Sequence, residues 1–317
     1  MKTSVIIPCY NSMPILEQLL DETERVLTGM GLCDYEFVLV NDCSPNEETL
    51  PFLKSLLGKH PTMTLVDLAK NTGQANAQMA ALRYTTGDIV INMDDDMQTH
   101  PKNIPILYAK LMEGYDLVEG QYPSKKHSVF RNFLTKADNV FECYAIDKPK
   151  GLHFTSFWIC RRYIIDEMLK YNHPYSYMEG LFLRTAGRIA NVEVEHFERT
   201  EGKSGYTFKK LLKLWSNFTN FTVKPLRLAG MLGALLSLGG FVAILCIVIK
   251  RICDPDMPLG YASILCTNLL FFGIILLGMG IIGEYVGRIF MCVNHAPQYV
   301  VREVYRGSEV PEEKHDE

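Results

Sequence analysis

Along residues 1–100 short apolar runs alternate with stretches of helical periodicity. Residues 3–8 form an apolar run that predicts a strand, and residues 14–28 carry Ile15, Leu19, Leu20, Val26 and Leu27 at helical spacing. Residues 35–41 read as a second strand, and 46–57 as a helix with Asn46 as its cap. A third strand is predicted at 62–68, a helix at 73–84 and a fourth strand at 88–93. This alternation predicts a mainly parallel sheet covered by helices. In such sheets ligands bind beyond the carboxyl ends of the strands. The candidate functional segments are therefore 9–12, 41–45, 70–74 and 94–98.

The pattern changes after residue 202. Residues 203–227 contain Lys203, Lys209, Lys210, Lys213, Lys224 and Arg227 and no acidic residue, while Phe208, Leu211, Leu212, Trp215 and Phe218 keep helical spacing. That combination predicts a basic amphipathic helix lying on a membrane surface, against the plainer alternative of a helix packed on the domain with its lysines solvated. Residues 228–249 and 257–283 contain no charged side chain. At about 1.5 Å per residue each can cross a hydrocarbon core of about 30 Å. A pair of buried core helices is the alternative, and soluble helices rarely stay uncharged all round for so long. The short hinge at 250–256 makes the pair a hairpin. Basic residues crowd the flank before it, whereas the hinge holds only Lys250 and Arg251, which puts the N-terminal part and both termini in the cytoplasm. The opening MKTSVIIPCYN lacks the apolar run of a signal peptide. The expected division is an α/β domain at 1–202, an interface segment at 203–227, a transmembrane hairpin at 228–290 and a cytosolic tail at 291–317.

Composition narrows the class. The 317 residues include 32 basic and 36 acidic side chains, a net charge of −4, which excludes a dedicated nucleic-acid binder. Nine cysteines are scattered without a CxxC pair, so neither a zinc ribbon nor a disulfide framework is expected. The histidines show no metal-ligand spacing. GMGIIG at 278–283 sits in an apolar stretch and follows no strand, so its glycines suit helix packing rather than a dinucleotide.

The informative chemistry lies at 87–98, where an apolar strand runs into Asp94, Asp95, Asp96 and Gln98. On an extended chain Asp94 and Asp96 would share one side and Asp95 the other. Two carboxylates and an amide at a strand end suit a hard cation, Mg²⁺ or Mn²⁺, that takes its other ligands from phosphate and water. A solvated acidic turn is the competing reading. Asp42, beyond the second strand, can accept hydrogen bonds from a base or ribose. Lys70, Asn71 and Gln74 lie beside a glycine that opens a helix, a setting that favours anions.

Taken together, TSVIIPCYN, VLVNDCSPNEE, AKNTGQ and GDIVINMDDDMQTHP resemble the family 2 glycosyltransferases of GT-A fold. The chain is similar in particular to the polyisoprenyl-phosphate glycosyltransferases, the group that includes dolichol-phosphate mannose synthase, and to their bacterial undecaprenyl-phosphate branch. The likeness continues through RTEGKSGYTFKKLLKLW, GMGIIGEYVGRIF and PQYVVREVYR. It implies an α/β, Rossmann-like domain that moves a sugar from a UDP-sugar to a polyprenyl phosphate at the cytosolic face of a bacterial inner membrane. It implies donor contacts at Pro8, Tyr10, Asn11, Asp42, Asn71, Gln74, Asp94 and Asp95, and a cation at Asp94, Asp96 and Gln98. The acceptor phosphate would meet Arg131, Lys136, Arg199, Ser204 and Tyr206, with Asp94, Asp96, Arg131 and Arg199 carrying catalysis. It also implies a homo-oligomer, a tetramer among the options. Two positions depart from the pattern: Ser12 stands where the family has Glu, and Gly205 where it has Lys. Two other readings compete with this one. A processive polysaccharide synthase is disfavoured by the lack of QxxRW and by too few spans. A non-catalytic scaffold is disfavoured by the intact DxD.

Overall fold

The computed structural model describes residues 1–12, 15–122, 148–195, 224–253 and 260–309. They fall into two compact units, one containing residues up to 195 together with those from 296 onward, the other the helical residues between.

The first unit is built on an eight-stranded sheet. Its strands are β1 (Thr3–Cys9), β2 (Tyr35–Asn41), β3 (Met63–Leu68), β4 (Ile89–Asn92), β5 (Leu117–Gln121), β6 (Trp158–Arg161), β7 (Ile189–Glu193) and β8 (Val301–Arg306), in the order β7-β5-β6-β4-β1-β2-β3-β8. The four strands predicted from sequence are the central, mutually parallel set. β6 runs antiparallel to both β4 and β5, and β8 antiparallel to β3, so the whole sheet is mixed and mostly parallel.

Alternation along the strands sorts the two faces. Val5, Ile7 and Cys9 of β1, Phe37 and Leu39 of β2, and Ile89 and Ile91 of β4 join one buried cluster. Helix α1 (Ile15–Gly29) lays Leu16, Leu19, Leu20 and Leu27 on it, and α4 (Ile104–Met112) adds Ile104, Leu107 and Leu111. Short α2 (Thr49–Ser55) contributes Leu53. Helix α3 (Gln74–Leu82) packs against β1 and β2. On the remaining sheet surface Trp158 of β6 meets Phe182 of α6 (Met178–Thr185) edge to face at 5.0 Å, beside α5 (Arg162–Met168).

Two of the expected segments change in the structure. The helix expected at 46–57 begins at Thr49; Asn46 instead turns its side chain to accept the Glu48 N–H at 3.0 Å, the local bond that keeps Asn out of helices. The tail expected at 291–317 is not wholly a tail, because residues 301–306 return as an edge strand of the sheet.

The second unit consists of α7 (Lys224–Cys253) and α8 (Tyr261–Val293), which touch each other. Both helices form where the sequence placed apolar spans. Among the described residues one stretch, Phe271–Val293, is long and apolar enough to cross a bilayer, with Ala229–Val242 a shorter apolar stretch. Phe272, Ile275, Leu276, Leu277 and Met279 are exposed, unlike the side chains of a soluble core helix. Glu284, whose role the sequence left open, forms an ion pair with Arg288 one turn on.

One buried acid is a stability liability. Glu119 of β5 is fully buried opposite Trp158 and Asn191. Its Oε2 accepts the Thr155 N–H at 2.9 Å, and its Oε1 has no hydrogen-bond partner among the described residues. Burial pushes this carboxyl well above the usual carboxylate range, and the Glu179 charge adds to the rise. A raised acid binds more protons folded than unfolded, so its contribution favours folding at low pH and is lost as pH rises past about 4.3 toward the folded value. Replacing Glu119→Gln therefore has an expected outcome: the melting temperature of the variant gains on the natural protein from pH 5 to pH 8. Thermal unfolding across that range checks it, and a constant difference would contradict the assignment.

Candidate active site

The site grows from where β1 and β4 part. Their ladder ends at Ile6 opposite Asn92, and the Met93 N–H donates to the Ile6 carbonyl at 3.1 Å. Pro8, two residues on, faces the same side, where no strand remains to need its missing N–H. On the other side β1 stays paired with β2 as far as Cys9 and Asn41. The chain enters β4 only after crossing from β3, so the loops after β1 and β4 diverge and open a crevice at the carboxyl ends of the strands.

That crevice is a cavity of about 490 Å³ lined by Pro8, Cys9, Tyr10, Asp42, Asn71, Gly73, Gln74, Ala77, Asp94, Asp95, Asp96 and Gln98. Four loops that the sequence marked separately thus line one space. Tyr10 is exposed and offers a ring face at the rim. Asn11 stands beside the cavity in the left-handed region with φ 56°, a conformation asparagine tolerates. Arg131, Lys136, Arg199, Ser204 and Tyr206 lie outside the described residues, as does most of the 203–227 segment.

The three aspartates do not alternate as an extended chain would. Strand β4 stops at Asn92 and the chain turns at 95–96, so all three aspartates line the cavity. Asp94 is held from two sides, accepting the Gln74 amide on Oδ1 at 2.9 Å and the Ser156 hydroxyl on Oδ2. Asp96 accepts the Gln98 N–H at 3.1 Å. Asp95 accepts the hydroxyl of buried Ser12. Its carboxyl is pushed up by burial, against which the Ser12 hydrogen bond works, while the Asp96 charge adds to the rise. A glutamate at position 12 would bring a second carboxylate against Asp95; serine supplies a donor instead.

Asp42 is placed differently from the expectation. Its carboxylate is buried and bound by the chain itself: Oδ1 accepts the Thr72 N–H at 2.7 Å, and Oδ2 the Gly73 N–H at 2.8 Å. The Asn71 amide donates to the Asp42 carbonyl at 3.1 Å. Gly73 sits at φ 82°, a backbone that glycine alone adopts without strain, and starts α3. Asp42 thus fixes the loop that presents Asn71 and Gln74, and it also lines the cavity.

Sequence reasoning missed Ser156 and Tyr122. Thr155 and Ser156 are gripped from both sides, by Glu119 and by the Asn92 amide on the Ser156 carbonyl, which aims the Ser156 hydroxyl at Asp94. The phenol of Tyr122, at the end of β5, is raised by burial and then by the charges of Asp94 and Asp96, which marks it as their neighbour. Both residues arrive through β5 and β6, and neither carries a local motif.

The donor set fits a hard cation. Carboxylate and amide oxygens are the preferred ligands of Mg²⁺ and Mn²⁺. Among the described residues no three His, Cys, Asp or Glu side chains converge as a metal cage. A cation here would be one that completes its shell with phosphate and water.

A Rossmann-like sheet with an acidic, polar crevice at its switch point has its candidate site where such sheets bind their ligands. The comparisons agree: residues 4–174 match glycosyl transferase family 2, and the chain belongs to that family. It is an enzyme that transfers sugars. Glucosyl-3-phosphoglycerate synthase from Mycobacterium tuberculosis in complex with phosphoglyceric acid is similar in fold, at a TM-score of 0.50 and 17% identity over 70% of this chain and 80% of that one. The same synthase with Mn²⁺, UDP-glucose and phosphoglyceric acid gives 0.49 and 18% over 69% and 78%. TarS 1–349 of S. aureus gives 0.41 and 18% over 62% and 59%.

The Ser12–Asp95 contact makes a prediction. Ser12→Ala removes a donor from a buried carboxylate and should cost about 1–3 kcal/mol. Because the bond favours the ionised form, the loss should be full near pH 7 and shrink as acid protonates Asp95. Thermal unfolding of both proteins at pH 7 and pH 4 measures it.

Proposed function

We propose that the chain transfers a sugar from a UDP-sugar to a polyprenyl phosphate, undecaprenyl phosphate in bacteria, at the cytosolic face of the inner membrane. The product would be a polyprenyl-phosphate sugar used to modify cell-envelope glycans. The observation that carries the reading is the convergence of Tyr10, Asp42, Asn71, Gln74, Asp94, Asp95, Asp96 and Gln98 around one cavity beyond the strand ends.

The membrane setting is supported by exposed, apolar Phe271–Val293 and by chain connectivity. Strand β8 follows α8 and pairs with β3 of the same sheet that precedes α7. A chain that leaves a cytosolic sheet and returns to it must cross a bilayer an even number of times. Two crossings, by α7 and α8, satisfy this; one does not. We assign the interface role to 203–227 and homo-oligomer formation to the small residues of α8.

In the reaction we infer, an acceptor phosphate oxygen attacks the anomeric carbon as the bond to UDP breaks, inverting that carbon. The acceptor's second pKa is near 6, so it is mostly a dianion at pH 7 and no side chain need take a proton. Asp96, Asp94 and Gln98 would hold a divalent cation that supplies charge neutralisation to the leaving diphosphate. Gln74 and Ser156 keep the Asp94 carboxylate in one orientation. Asp42 fixes the loop before α3 against the donor, and Tyr10 presents its ring to the base. Arg131, Lys136, Arg199, Ser204 and Tyr206 would gather the acceptor phosphate, with the arginines giving bidentate contacts.

The test is transfer by purified, detergent-solubilised protein given undecaprenyl phosphate, Mn²⁺ or Mg²⁺ and a panel of UDP-sugars. One donor should give a glycolipid, and Asp96→Ala should lower the rate by about 100-fold or more. Absence of both product and UDP binding would overturn the reading.

A further inference from the structure

Strand β8 is more than an edge cover. Its register against β3 slips between Asp67 and Leu68: Asp67 faces Glu303 while Leu68 faces Val301, so Arg302 is the extra residue of a bulge. Bulges re-aim side chains, and this one sends a guanidinium to a buried acid. Arg302 Nη1 lies 3.1 Å from Oδ2 of Asp67, whose side chain is 1% exposed. The other oxygen of Asp67 accepts the Asn41 amide at 2.7 Å. The Asn41 side-chain Oδ1 in turn accepts the Ser44 hydroxyl at 2.6 Å. The Asn11 N–H donates to the Ser44 hydroxyl at 3.0 Å, and the Asn11 side chain accepts the Asn46 N–H at 3.3 Å. Asn11 and Cys43 both hold left-handed backbones, with φ of 56° and 49°. Asparagine tolerates that backbone, while at Cys43 the surrounding bonds must hold it. The two ends of the series are one exposed arginine and the Tyr10–Asn11 loop of the cavity.

We propose that Arg302 is a positioning residue for the donor site, acting through Asp67, Asn41 and Ser44 on the loops after β1 and β2. Arg302 alone of β8 thereby bears on the nucleotide-binding loops, and Val304, which pairs with Val66, does not. The inference rests on the donor-site reading above. Arg302 neutralises a buried carboxylate and fixes which oxygen it gives to Asn41. Without that charge Asp67 draws other donors, Asn41 turns, and Ser44 releases the Asn11 backbone. Donor binding then weakens, while the aspartates at the reacting end keep their own contacts.

The experiment compares full-length wild type, Arg302→Gln, Arg302→Lys, the double variant Arg302→Gln with Asp67→Asn, and Val304→Ala, which loosens β8 without touching the series. Donor KM, kcat, UDP affinity and melting temperature are measured for each. Arg302→Gln should raise donor KM and weaken UDP binding about tenfold, the factor expected when a charge-assisted bond to a buried acid is lost, with kcat changing less than KM. Arg302→Lys and the double variant should recover much of the affinity, and Val304→Ala should lower the melting temperature with KM unchanged. An Arg302→Gln KM and UDP affinity within twofold of wild type overturn the inference, as does an equal KM rise in Val304→Ala. Failure of the wild type itself to bind UDP overturns the donor-site reading beneath it, a result distinct from a wild type that binds and an Arg302→Gln protein that binds equally well.

Discussion

The pairing of β1 with β2 on one side and β4 on the other, and its early end on the β4 side, is the constraint on which the rest depends. Backbone hydrogen bonds hold β1 as far as Cys9 against β2, but only as far as Ile6 against β4. Pro8 is compatible with that asymmetry because its ring cannot extend the ladder. The crevice that results is bordered by loop ends rather than by packed side chains. Polar groups can therefore gather there without the cost of burying them unpaired in the core. The apolar cluster beneath, from Val5 and Ile7 to the leucines of α1, gives these loops a rigid floor.

Charge in the site is organised by giving most acids a fixed partner. Asp42 takes two backbone N–H groups, Asp94 an amide and a hydroxyl, Asp95 the Ser12 hydroxyl, and Asp67 both Asn41 and Arg302. Each bond settles a rotamer, and together they hold three like charges around one cavity. Such an arrangement repels itself and would be relieved by a cation. The helical unit poses the opposite problem, since apolar side chains face outward along α8.

The departures from family pattern take on physical content here. Ser12 is compensated locally, because its hydroxyl serves Asp95 where a carboxylate would oppose it. Asp42, assigned by resemblance to the donor, has both carboxylate oxygens bound by the chain, at Thr72 and Gly73. Gly205 lies outside the described residues.

Periodicity was enough to find β1 to β4, and β2 coincides with its expected bounds, because buried parallel strands are short continuous apolar runs flanked by turn residues. The DxD, Asp42 and the glycine before α3 were legible for the same reason: they sit at fixed offsets from those runs. β8 was not legible, since VREVYR at a sheet edge is half polar and has no run to mark it. Ser156 and Tyr122 were not legible either, because antiparallel pairing across long sequence separations brings them to the aspartates. The sequence by itself determined the family, the parallel core and the acidic loop, all products of local pattern. Only the tertiary structure decided that Asp94, Asp95 and Asp96 share one cavity, that Asp42 binds the chain, and that Arg302 reaches Asp67. Those outcomes depend on strand order and register, which non-local hydrogen bonds set and no local run of residues encodes.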